Sequence, residues 1–220
     1  MEKHTAVVKK VVQTGRDITT IYFTVPRLTY LAGQYITVFF DGGSRPEGKA
    51  YSLSSAPHQP LLSITVKRVG EYSGRLCDLH VGDTFLCSPA YGDFNPKSSQ
   101  PLVCIAAGVG IAPIWSVIKS ELQSTPSRQV SLHYSATHSH TMPHRPAITQ
   151  TIGANAQLYI TRQGNLPFVA HTTRIRPADC VQPGAMYLLC GSVSFVRDMW
   201  QGLVACGARP EDISTEVFFE

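Results

Sequence analysis

The stretch Leu102–Ile118 constrains the fold more than any other part of this chain: 17 residues with no charge and a single hydroxyl, Ser116. So apolar a run has to be buried. Its length falls at the lower limit for crossing a bilayer, and Gly108, Gly110 and Pro113 break it in the middle. A buried strand, a tight turn and a buried helix account for all three interruptions. The glycines permit the turn and a close backbone approach. Pro113 suits the first helical turn, where it has no N–H to lose. A strand this apolar must be covered on both faces, as in a parallel sheet.

Three more segments read the same way: Gln129–Tyr134, Gln157–Ile160 and Ala185–Leu189. Helical patterns at Ala112–Leu122, Arg145–Thr151 and Val193–Cys206 alternate with them. This alternation predicts an α/β unit with a crevice at the carboxyl ends of its strands. The first half differs. Thr5–Gln13, Asp17–Val25, Gln34–Phe40, Ala50–Ser54, Leu61–Lys67 and Asp83–Cys87 are short β-branched or aromatic segments separated by turn residues. Six such strands and a short helix near Gly74–Leu79 predict a small closed antiparallel barrel. The segment Asn95–Pro101 reads as the linker, dividing a barrel domain, 1–97, from an α/β domain, 98–220.

Composition narrows the function classes. Hydrophobic residues make up 43% and charged residues 15% of the 220, which is ordinary for a soluble globular protein. The net charge of +4 is mild, and no Lys/Arg run marks a nucleic-acid surface. The six cysteines are scattered without a C-x-x-C pair, which argues against zinc ribbons and iron–sulfur clusters. Several of them sit in apolar runs, as reduced core thiols do, and the first residues lack an apolar signal core. Both features lead to an expectation of a cytoplasmic protein with no membrane span.

Two stretches carry the chemistry. Lys49-Ala-Tyr-Ser52 sets an aromatic ring, a hydroxyl and a positive charge at the end of a short strand. A flavin needs these groups: a flat partner, a hydrogen-bonding group near its reactive nitrogen, and a cation for its phosphates. Tyr51 fits an ordinary half-buried strand position equally well. Downstream, Ser73 is positioned to cap the short helix, whose free N–H groups suit a pyrophosphate. In the second half, Gly108-Val-Gly110 follows a strand and opens a helix, the context in which a G-x-G turn suits a nucleotide phosphate. Pro113 stands where the dehydrogenase fingerprint has its third glycine.

Gly33-Gln34-Tyr35, Lys49-x-Tyr51-Ser52, Gly70-x-x-Ser73, Gly108-x-Gly110-x-x-Pro113 and Cys190-Gly191 occur in the order and spacing of the ferredoxin–NADP reductase superfamily, which the chain resembles over nearly its whole length. The resemblance implies an FAD-binding barrel joined to an NAD(P)-binding α/β domain, with hydride passing from nicotinamide to flavin. It implies that Tyr51 and Ser52 contact the isoalloxazine, and that Lys49 and Ser73 hold the FAD pyrophosphate. Leu53, Ser54, Val66, Lys67, Gly70 and Tyr72 complete the FAD set. On the coenzyme side it implies Gly108, Val109, Gly110 and Pro113 around the phosphates, with Cys190 and Gly191 beside the nicotinamide. Ser52, Tyr51 and Cys190 are then the catalytic candidates. Near the C-terminus, Phe218 or Phe219 either covers the other flavin face or packs a terminal strand.

Three departures stand out. Lys49 replaces the usual arginine and loses its two-pronged grip on phosphate, so FAD retention is expected to be weaker. Ser192 replaces the proline that usually follows Cys-Gly. The residues of a fused iron–sulfur domain are lacking. Ser135 and Thr161-Arg162 resemble the residues that read the 2′-phosphate of NADP, while Thr137 stands where some NADP users have arginine. The balance leans to NADPH, with Arg162 as a plain surface residue the alternative. His138-x-His140-x-x-x-His144 has spacing open to a metal, but its turn formers favour a solvated loop and no metal is expected.

The leading expectation is therefore an oxidoreductase passing a hydride from NAD(P)H to bound FAD. Its electrons would go to a separate protein: a ferredoxin, an iron–sulfur oxygenase component or a haem protein. A free-flavin or ferric-complex reductase is the second reading. A flavin- or nucleotide-binding regulatory subunit is the third.

Overall fold

The computed structural model describes residues 2–166, 168 and 170–218. Strands β1 (His4–Gly15), β2 (Ile18–Thr24), β3 (Tyr35–Phe39), β4 (Lys49–Ser52), β5 (Leu62–Lys67) and β6 (Thr84–Cys87) form one antiparallel sheet in the order β4-β3-β6-β1-β2-β5. Leu53, directly after β4, bridges to Ile64 of β5 and closes the sheet into a barrel. Period-2 alternation sends Ala6 and Val8 of β1, Ile21 and Phe23 of β2, and Ile36 and Val38 of β3 into one core. Phe23 and Phe85 meet there edge to face at 5.1 Å. All six expected strands are present.

Helix α1 (Glu71–Cys77) begins three residues earlier than the sequence pattern suggested. The reason is local. Gly70, not Ser73, is the N-cap residue, and Ser73 lies within the first turn. Its Oγ accepts from the N–H groups of Val69 (2.9 Å) and Gly70 (3.0 Å).

The second half builds a wholly parallel sheet from β7 (Leu102–Ala107), β8 (Val130–Ala136), β9 (Ala156–Ile160), β10 (Met186–Ser192) and β11 (Ile213–Phe218). Helices α2 (Ile111–Ser124) and α3 (Arg145–Ile152) cover one face, and α4 (Val193–Ala205) covers the other. Along β7, Leu102, Cys104 and Ala106 face α2, while Val103 and Ile105 face α4. That double coverage is why Leu102–Ile118 carries no charge. The strand order is β11-β10-β7-β8-β9. The chain winds outward from β7 to β9, then returns to the other side of β7, so the topological switch point lies between β7 and β10. Open α/β sheets bind their ligands in the crevice at such a point.

The structure is thus a six-stranded antiparallel barrel followed by a parallel α/β unit. The two halves share a core, because Ala32 and Phe94 of the barrel half pack into the cluster beneath α2. Among the described residues no helix is long and apolar enough to cross a membrane.

Candidate functional site

The crevice begins where β7 ends. Residues 108–110 form a single 3-10 turn that runs directly into α2. The two glycines do different things. Gly108 has φ +54°, and a Cβ added there would meet nothing within 4 Å, so this backbone is open to a ligand. Gly110 is already closely approached: a Cβ there would lie 2.4 Å from the carbonyl oxygen of Cys190 and 2.9 Å from the amide nitrogen of Gly191. The closeness expected for a phosphate at Gly110 is therefore used to seat the turn against β10. Pro113 is buried in the first turn of α2. The buried Tyr134 hydroxyl supports the turn from β8, donating to the Gly108 carbonyl at 3.1 Å.

Across the crevice the barrel contributes β4. The pleat separates Ser52 from Tyr51. Ser52, 6% exposed, donates its hydroxyl proton to Glu216 Oε1 of β11. Glu216 pairs in register with Cys190 of β10, so hydroxyl, carboxylate and thiol converge from both halves of the molecule. Burial raises the Glu216 carboxyl above the usual range, although its hydrogen bond with Ser52 works the other way. Burial raises the Cys190 thiol well above its ordinary value, and the Glu216 carboxylate adds to this, so the thiol keeps its proton. Glu216 is the residue that sequence reasoning missed. Its one signal was a carboxylate inside the closing strand, directly before the apolar Val217 and Phe218.

Tyr51 turns into the barrel instead. Its ring packs on the barrel core beside Tyr72 and Cys77, and its hydroxyl is buried without a hydrogen-bond partner. An orphaned buried hydroxyl costs about 1–3 kcal/mol unless a bound group completes it. Leu53 and Val66 point wholly into the barrel core. Ser54 is bonded to Ser63 and Thr65 inside the barrel. Tyr72 donates to the Arg45 carbonyl, and Ser73 is engaged in capping. These five side chains support the site from behind. Lys49 is half-buried, and Lys67 and Gly70 are exposed. Phe218 is half-buried at the end of β11, beside Ser192, and Phe219 lies outside the described residues.

At the outer end of the crevice, Thr161 N–H donates to the Ala136 carbonyl (3.1 Å) and Arg162 N–H to the Thr137 carbonyl (2.9 Å). These bonds join the ends of β8 and β9, bringing Ser135, Thr137, Thr161 and Arg162 together. The histidine segment departs from a solvated loop. His138 and His140 stack at 5.1 Å, but His144 turns away and bonds to Thr65 of the barrel. The loop is pinned to the barrel because His144 finds a buried hydroxyl there.

A closed barrel faces the switch point of a parallel sheet, with polar side chains meeting between them. The chain's solved structural neighbours are ferredoxin–NADP reductase-like FAD/NAD-binding domains, and the chain shares their fold. It is similar to a flavohemoprotein of Bacillus subtilis (strain 168), 30% identical over 234 residues that cover 96% of this chain and 58% of that protein. The chain spans about six-tenths of the length of the curated relatives it matches. Among solved structures it resembles the flavohem-like FAD/NAD-binding domain of nitric oxide dioxygenase from Vibrio cholerae O1 biovar El Tor, with TM-score 0.87, 25% identity and 98% of both chains covered. The fold is also that of a ferredoxin NADP+ reductase from Neisseria gonorrhoeae, with TM-score 0.86, 22% identity and 100% of both chains covered. No protein-family model matches the chain.

Proposed function

We propose that this chain is an NAD(P)H-dependent flavoprotein reductase, with FAD held by the barrel of residues 1–97 and the coenzyme by residues 98–220. The observation that carries this reading is the convergence of Ser52, Glu216 and Cys190 at the switch-point crevice, where the two halves meet. Bound FAD supplies the conversion of a two-electron hydride donor into a source of single electrons.

The chain's own residues fit that group. The partnerless Tyr51 hydroxyl offers a hydrogen bond to a polar atom of the cofactor. Lys49 supplies positive charge for its phosphates, as a point charge rather than a fork. Ser52, oriented by Glu216, presents a hydroxyl at the reacting edge. Phe218 supplies an apolar cover, and the protonated Cys190 thiol fills the space beside the nicotinamide without contributing charge. On the coenzyme side, the open Gly108 backbone takes the pyrophosphate. Ser135, Thr161 and Arg162 take the adenosine end, and the cation and hydroxyls there favour NADPH.

The acceptor best supported is a haem protein, because the similar Bacillus subtilis and Vibrio cholerae proteins are a flavohemoprotein and a flavohem-like domain. The test is an absorption spectrum of the purified protein followed by anaerobic titration with NADPH and, separately, NADH. Flavin bands that bleach with coenzyme are the expected outcome. Colourless protein that reduces added flavin points to the free-flavin reductase instead. Bound flavin that neither coenzyme bleaches overturns the reading.

A further inference from the structure

The reductase reading leaves one buried cluster unused. It lies where the β8–α3 loop meets the barrel. His144 stands at the N-terminal end of α3 with φ 62°, a left-handed conformation that a non-glycine side chain rarely adopts without a local reason. Its ring stacks at 27° on Trp115 of α2, and its Nε2 lies 2.7 Å from Thr65 Oγ1 on β5. The Thr65 hydroxyl has three partners. It donates to Ser54 Oγ at 3.1 Å, leaving its lone pairs for Thr20 Oγ1 (3.1 Å) and His144. A hydroxyl owns one proton, so His144 must be the donor, from Nε2–H. Burial, reinforced by the nearby Lys119 ammonium, holds the imidazole down to about 3, so it is neutral throughout the physiological range.

The same loop reaches the coenzyme turn. Tyr134 Oη lies 3.1 Å from the carbonyl of Gly108 and 3.4 Å from that of Pro143, the residue before His144. Burial keeps the phenol protonated, so its one proton is shared between these two carbonyls, the nearer being that of Gly108. A continuous path therefore runs from the barrel interior through Thr65, His144, Pro143 and Tyr134 to the open backbone of Gly108. Other polar contacts cross between the halves. Arg16 N–H donates to the His140 carbonyl (2.7 Å), Ser116 donates to the Ser55 carbonyl, and Lys119 donates to Gln59 Oε1 (2.6 Å). None of those leads to Gly108.

We propose that His144 is a positioning residue, the centre of a hydrogen-bonded strut that fixes the Gly108 turn relative to the barrel. Apolar packing between the halves is non-directional and tolerates sliding. Hydride transfer between two ligands seated on different halves does not, because rate falls steeply with small misplacement. A directional bond from a neutral donor holds the register without placing a second charge beside Lys119.

This inference rests on the reductase reading, so the test carries two readouts. The first is the limiting rate of anaerobic flavin bleaching by NADPH in the full chain. His144→Ala and Thr65→Val should each lower it about tenfold, with flavin content and half-saturating coenzyme concentration unchanged. The double variant should be little slower than the slower single one, because both remove the same His144–Thr65 bond. His144→Gln, whose amide nitrogen can donate from the same place, should recover most of the rate. The second readout needs no coenzyme: amide hydrogen exchange at residues 108–111 should speed up about tenfold in Thr65→Val. Rates that multiply in the double variant, or exchange at 108–111 that does not change, overturn the strut. Wild-type flavin that no coenzyme bleaches overturns the reductase reading instead, and the exchange experiment then decides the strut alone.

Discussion

The barrel side and the coenzyme side of the crevice are built from different materials. On the barrel side the proposed recognition groups are side chains: the Ser52 hydroxyl, the Tyr51 phenol, the Lys49 ammonium. Behind them lies a buried hydroxyl network of Thr20, Thr65, Ser54 and Ser63. On the coenzyme side the inner crevice is backbone, the Gly108–Gly110 turn pressed against the main chain of Cys190 and Gly191. A side-chain site is tuned by exchanging one polar group for another. A backbone site has no such freedom and fails when a Cβ intrudes. The contrast follows from the two sheets. An antiparallel barrel alternates faces and can show polar groups at its edge. The central strand β7 of the doubly covered parallel sheet is apolar throughout, so what it shows to the crevice is the backbone beyond its end.

That comparison breaks most visibly at the two glycines. Gly110→Ala drives a Cβ into the Cys190 carbonyl. It should cost about 3 kcal/mol, lowering Tm by about 9 °C in a thermal melt. Gly108→Ala meets no neighbour and adds only the strain of a left-handed residue, about 1 kcal/mol. Equal losses at the two positions would undo the distinction between a seated and an open glycine.

Acid should expose the polar interior next. The free imidazole of an unfolded chain takes up a proton near pH 6.5, whereas the folded His144 does so only near 3. Between those values the unfolded state binds the extra proton. Stability is therefore complete above pH 6.5 and declines as pH falls toward 3, by about 5 kcal/mol from this group. Denaturant midpoints measured across that range should show the decline, and His144→Gln should flatten it.

The smallest effect is expected at Tyr51. Tyr51→Phe removes a buried hydroxyl that has no partner in the protein, so the flavin-free protein should become more stable, by about 1 kcal/mol. Flavin retention on a desalting column should nevertheless fall several-fold. A large loss of stability without any change in retention would show that the phenol serves the barrel alone.

Much of this architecture was legible from spacing. The six barrel strands, the apolar strand and helix around Gly108, and the closing strand all follow from periodicity and turn residues, which act over a few positions. The directions of individual side chains were not. Leu53, Ser54 and Val66 sit within the motif region, yet the pleat sends them into the barrel. Ser73 was expected to face a phosphate, but its hydroxyl is used by the amides of Val69 and Gly70. His144 looked like a loop histidine because its partner, Thr65, lies 79 positions away in the chain.

By itself the sequence determined two sheets of different kinds, their order along the chain, and the glycine turn that opens α2, because hydrophobic period and backbone permissiveness are local properties. Only the tertiary structure decided which polar atoms meet. Ser52 reaches Glu216 across 164 positions, Gly110 gives its missing Cβ to the Cys190 carbonyl, and His144 closes on Thr65. The first and last of these contacts depend on the angle at which the barrel docks on the α/β sheet, and the second on the pairing of β7 with β10 within that sheet. That angle is set by the combined packing of Ala32 and Phe94 beneath α2 and the bonds around them, which no local window of residues contains.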